Sequence, residues 1–102
     1  MKVSLEAKLK TPKGEVMKDN DNGKVVDLTL RRAINAVLGA PLESDRELGW
    51  KKLFDMGNLM KAVEEHKKGE FDISSEDVTM LKERCSKLFP NIVWALVKCL
   101  EG

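Results

Sequence analysis

His66 is the single histidine of the chain, and it sits between Glu65 and Lys67. One imidazole narrows the chemistry at once, because a Ser-His-Asp relay or a histidine-based metal site has only this ring to draw on. A helix histidine with its ring partly in solvent accounts for it without catalysis. The two thiols, Cys85 and Cys99, lie in apolar surroundings with no neighbouring histidine to take a proton. Two sulfurs cannot complete a tetrahedral zinc site, so they read as buried and reduced, as in a reducing compartment. Carboxylates are plentiful, but Glu64 with Glu65 and Glu76 with Asp77 are sequence neighbours. Adjacent helical residues point about 100° apart and do not share a proton. These are solvated or helix-end charges, and the lysine pairs at 51–52 and 67–68 are surface residues.

Asp19, Asn20, Asp21 and Asn22 ahead of Gly23 resemble the start of a calcium loop. The register excludes it: were Gly23 the glycine of such a loop, Lys18 would stand where the first carboxylate belongs and Thr29 where the closing bidentate glutamate belongs. The cluster is a turn. Neither glycine-rich phosphate-binding pattern, G-x-x-x-x-G-K-[ST] or G-x-G-x-x-G, occurs in the chain. No catalytic residue, cofactor-binding residue or metal ligand emerges, and the sequence reads as that of a non-enzyme.

The elements that would position any site follow from two periods. Val3, Leu5, Ala7 and Leu9 alternate with Lys2, Ser4, Glu6, Lys8 and Lys10, which predicts a strand with one face on a core. Thr11, Pro12, Lys13 and Gly14 form a turn, and Glu15 to Lys18 predicts a second short strand. The Asn22-Gly23 step suits a hairpin before Lys24, Val25 and Val26. From Thr29 the spacing becomes helical. Leu30, Ala33, Ile34, Val37 and Leu38 make one stripe, capped by Thr29 or Asp27 and stopped by Gly39, with Arg31, Arg32 and Asn35 facing away. Ser44 and Glu47 form a capping box for a second helix reaching Lys68, so Ser44 is a cap and not a nucleophile. Its broad apolar face is expected to be Trp50, Leu53, Met56, Gly57, Met60 and Val63. Leu48, Leu59 and His66 lie on another side, expected to be buried beneath the β element, with a partner surface as the alternative. Gly49 and Gly57 hint at a close backbone approach or a frayed start.

Ser74 caps a third helix with Val78, Leu81, Cys85 and Leu88 inward. Pro90 then opens a fourth in which Ile92, Val93, Trp94, Ala95, Leu96, Val97, Cys99 and Leu100 leave almost no polar face. A segment so apolar is buried by the other helices or by another chain.

With 102 residues, 42% hydrophobic and 34% charged, the chain suits one soluble domain, residues 1–28 supplying the β element and 29–102 the helices. The net charge is +1, divided as +3 over residues 1–32 and −2 over the remainder, so no global field draws the protein to nucleic acid or lipid. No apolar run approaches the roughly 18 residues of a membrane span, and no signal peptide is evident, which predicts a cytoplasmic protein.

The order of short motifs resembles small proteins encoded by tailed phages and prophages. The resemblance rests on the turn at Lys13-Gly14, the Asn22-Gly23 turn, Asp27-Leu28-Thr29-Leu30 and Ser74-Ser75-Glu76-Asp77-Val78 opening helices, and a terminal Leu100-Glu101-Gly102. Those proteins are generally of unassigned function, so the resemblance implies a setting, the bacterial cytoplasm during phage development, and no functional residue.

The sequence therefore predicts an α+β fold, a short N-terminal hairpin or small antiparallel sheet packed on about four helices. The expected function is non-catalytic protein–protein interaction or assembly, by homodimerisation or with a protein partner. Docking would use Val93, Trp94 and Val97 of the last helix, or an unpaired strand edge at residues 2–9. The rival is a small nucleic-acid-binding regulator using Arg31, Arg32 and the N-terminal lysines.

Overall fold

The computed structural model describes residues 1–101. It has the expected α+β composition: four helices and two small antiparallel sheets of two strands each. In chain order the strands are β1 (Lys2–Val3), β2 (Lys18–Asp21) and β3 (Lys24–Asp27), followed by helices α1 (Leu30–Gly39) and α2 (Trp50–Glu65). Then come β4 (Phe71–Asp72), α3 (Ser75–Leu88) and α4 (Val93–Glu101).

The N-terminal alternation sorts side chains as predicted, with Val3, Leu5 and Leu9 buried. The backbone is not one strand, however. β1 pairs with β4, Val3 opposite Phe71, so the β part is not confined to residues 1–28. The chain then turns, with the Ala7 N–H donating to the Ser4 carbonyl at 3.2 Å. Beyond the turn it runs beside the start of α1. The N–H groups of Leu30 and Arg31, free because they open a helix, donate to the carbonyls of Ala7 at 2.8 Å and Leu5 at 2.9 Å. Leu9 donates to Leu28 and accepts from Met17, both at 2.8 Å. The edge expected at residues 2–9 is thus spent within the chain and offers no continuous ladder to a partner.

The second strand lies later than expected, at Lys18–Asp21 instead of Glu15–Lys18, so the polar cluster is itself part of a hairpin. Asn22 and Gly23 take φ of 52° and 85°, the pair of positive values a two-residue turn with the right strand twist demands. Val16 keeps a single bridge to Lys10.

Helix α1 is the centre of the molecule. Leu30, Ala33, Ile34, Val37 and Leu38 are all buried, and α2, α3 and α4 pack against this helix. Thr29 caps it by accepting the Arg32 N–H at 3.3 Å. The stop is set by Pro41 and not by Gly39. Ala40, held extended at ψ 132° as the residue before a proline prefers, ends the helix, and Gly39 remains helical.

Pro41 has a second consequence. The Val37 carbonyl would normally accept the N–H four residues on, which proline lacks. Arg84 of α3 supplies the missing donor: its Nε donates to Val37 O at 3.2 Å, Nη2 to Ala40 O at 2.7 Å, and Nη1 to Asp45 Oδ1 at 2.6 Å. Its side chain is 7% exposed. The Asp45 carboxylate also accepts the Leu42 N–H at 2.9 Å, fixing a 3₁₀ turn at Glu43–Glu47. That turn replaces the expected first part of the second helix. Asp45, and not a Ser44–Glu47 box, holds it, and α2 starts afresh after Gly49. Neither Gly49 nor Gly57 makes a close backbone approach.

Ser74 caps α3 by accepting the Asp77 N–H at 3.1 Å, with Val78, Leu81 and Cys85 buried. Pro90–Ile92 form a 3₁₀ turn into α4, which buries Ala95, Leu96 and Leu100. No helix among the described residues is long and apolar enough to cross a membrane.

Candidate docking surfaces

α4 divides as its near-continuous apolar sequence leaves open. Its inner face closes the core, while Val93 and Val97 are half-buried and Trp94 stays 46% exposed. The Lys98 ammonium stands 5.6 Å from the centre of the Trp94 ring, a cation–π arrangement at the surface. Val93, Trp94 and Val97 thus share one shallow outer face with Pro90, Lys98 and Glu101.

α2 departs furthest from expectation. Its buried residues are Leu59 and Val63, with Met56 and Met60 partly covered, so the side expected beneath the β element supplies Leu59 to the core. Trp50 is 78% exposed, Phe54 62% and Leu53 42%. With Gly57 they form a second stripe at steps of three and four, turned away from the buried one. Length explains the outcome: sixteen residues make a helix of roughly 24 Å, whereas the ten of α1 make roughly 15 Å, so α1 covers only part of its neighbour. Sequence reasoning placed Trp50 and Leu53 inside and left Phe54 unassigned. The available signal was the excess, since α2 carries more large apolar residues than one core-facing stripe holds.

Arg31 and Arg32 do not face away. Arg31 is clamped between Glu6, with Nε at 3.0 Å and Nη2 at 2.9 Å, and the end of α2, where it donates to the Val63 and His66 carbonyls. A cation fits there because those carbonyls carry the negative end of the helix dipole. Arg32 reaches over the hairpin to Asp21 at 2.9 Å and Asp19 at 3.6 Å, and these aspartates, Asp21 foremost, raise its pKa further. Of the N-terminal lysines, Lys8 pairs with Asp27 at 3.0 Å and Lys18 with the same carboxylate. Those two contacts, Lys18 first, hold Asp27 below the ordinary carboxylate range. Of the eight basic residues at 1–32, Lys8, Lys18, Arg31 and Arg32 are answered from within.

The reactive side chains stay apart. His66 Nε2 lies 3.1 Å from the Gly69 carbonyl, which can only accept, and its ring meets Phe71 edge-on at 5.3 Å. These contacts fasten the turn between α2 and β4. The Cys85 thiol points at the Phe89 carbonyl and the Cys99 thiol at that of Lys8, at 3.6 and 3.8 Å. Burial pushes both pKa values up, away from the thiolate a nucleophile needs.

Between α2 and α3, each leaning on α1, a groove of about 540 Å³ remains open. Arg84, Arg31 and this groove have no local signature, because each depends on residues tens of positions apart. No family model, curated protein or solved structure matches this chain.

Proposed function

We propose that this protein is a non-catalytic interaction or assembly factor, and that α4 docks against a second copy through Val93, Trp94 and Val97. The observation that carries this reading is the placement of both tryptophans on the surface. Tryptophan is the largest apolar side chain, and a chain this small gains most by burying it. An exposed tryptophan flanked by apolar neighbours marks the kind of anchor around which protein interfaces form. The α4 face carries one ammonium, Lys98, and one carboxylate, Glu101, so a copy turned about a two-fold axis meets no net like-charge repulsion. The resemblance to tailed-phage and prophage proteins sets this activity in a bacterial cytoplasm.

The test is the molar mass in solution by light scattering, for the wild type and for Trp94→Glu. A wild-type dimer that becomes a folded monomer in the variant supports the reading; a wild type monomeric at every concentration refutes self-association. Nucleic-acid binding by Arg31 and Arg32 would require breaking their pairs with Glu6, Asp19 and Asp21. We therefore expect no DNA or RNA association of steep salt dependence through these two arginines.

A further inference from the structure

The groove between α2 and α3 has an apolar floor and a predominantly acidic rim. Leu48, Met56 and Met80, all half-buried, line its bottom. Asp55 on α2 and Glu76, Asp77 and Glu83 on α3 stand around it, opposed by the single ammonium of Lys52. Past Leu48 the floor continues beside Leu42 toward the Arg84–Asp45 pair, so the trough has length as well as width. Its volume, about 540 Å³, falls among clefts that accept ligands. Methionine is unbranched and polarisable, and it moulds itself to different apolar partners.

We propose that this groove is the docking cleft for a basic amphipathic helix of a partner protein. The partner's apolar stripe lies on Met56, Met80 and Leu48, and its flanking lysines or arginines face Asp55, Glu76, Asp77 and Glu83. The commitment to a basic partner follows from charge complementarity: the main groove sets four carboxylates against Lys52, and its extension adds the mutually paired Asp45 and Arg84 and one further ammonium, Lys87, so the trough stays net negative and draws a basic segment. The commitment to a helix follows from shape, since a trough between two helices takes a third by its apolar ridge. This rests on the reading of the protein as an interaction factor and names a partner class for a surface separate from α4.

The probe is a synthetic helical peptide with leucine on one face and lysine on the other, titrated into the 102-residue protein carrying ¹³C-labelled methionine methyl groups. Met56 and Met80 are expected to shift while Met1 and Met17 stay still. Asp55→Lys combined with Glu83→Lys, both at exposed positions, is expected to weaken binding roughly tenfold with unchanged circular dichroism. Raising salt is expected to weaken binding as well. The proposal is overturned if Met56 and Met80 do not move, if a glutamate-for-lysine version of the peptide binds as well, or if the double variant binds undiminished. If the groove stays silent while the wild type is a Trp94-dependent dimer, this assignment falls and the interaction reading stands. If the groove binds and the wild type is monomeric, the α4 contact falls and the groove stands.

Discussion

Replacing Arg84 with methionine is expected to destabilise the protein by about 3 kcal/mol, the lower end of the loss seen when one member of a buried ion pair is removed. Methionine keeps most of the aliphatic stem, so the change removes the guanidinium more than the packing. Three interactions disappear together: the Val37 and Ala40 carbonyls lose their donor and the Asp45 carboxylate loses its counterion. Charged hydrogen bonds contribute about 1.5 to 3 kcal/mol each, but adding three such values overcounts. Asp45 is 20% exposed and can recover some hydration, which favours the lower figure. For a single domain with a total stability of about 5 to 15 kcal/mol, the loss is large. Urea denaturation read by circular dichroism, with a slope of about 1.5 kcal/mol per molar, would place the midpoint roughly 2 M lower.

A second arm uses pH. Arg84 first, and then the Leu42 N–H, holds the Asp45 carboxyl below its ordinary value of 3.8. The unfolded chain therefore takes up this proton more readily than the folded one. The stability it contributes is present above about pH 4 and is lost as pH falls through the lower folded value. Wild type and variant share the exposed Asp27 pairs, so their difference isolates Asp45. The two curves are expected to draw closer in acid without merging, because the Val37 and Ala40 hydrogen bonds do not titrate. A midpoint shift below about 0.5 M would refute the assignment of Arg84 as the donor that closes α1, and a difference independent of pH would refute its pairing with Asp45.

Leu81→Ala, at a fully buried position on α3, is expected to cost about 2 to 5 kcal/mol by denaturant titration whatever the oligomeric state. Gly23→Ala places a side chain at φ 85° in the hairpin turn and is expected to cost roughly 1 to 2 kcal/mol, read as a lower melting temperature. The Cys85 thiol, completely buried and raised in pKa, is expected to react with a disulfide reagent far more slowly in the native protein than in denaturant. Equal rates would contradict its placement.

Local features were legible where neighbours in the chain decide the outcome. The α1 stripe, the Thr29 and Ser74 caps, the Asn22-Gly23 turn and the inward Val3, Leu5 and Leu9 follow from period, hydroxyl placement and backbone steric limits. The α+β class follows from the single change of period. Val93, Trp94 and Val97 were singled out because α4 is apolar on nearly every side, and the structure leaves Trp94 exposed and the two valines half-buried.

Tertiary structure decided the rest, because the deciding partners are distant in sequence. How much of α2 goes inward depends on how it lies against α1, and that placement leaves Trp50, Leu53 and Phe54 outside while Leu59 and Val63 are buried. The N-terminal edge closes because residues 28–31 and 71–73 come to it. An arginine has the same local sequence appearance in solvent or beneath a helix end; only the fold brings Arg84 to the carbonyl that Pro41 leaves unpaired and Arg31 to the end of α2. Periodicity fixes how a segment buries a face, whereas the geometry of the assembled helices fixes which face is buried and which charges are already answered.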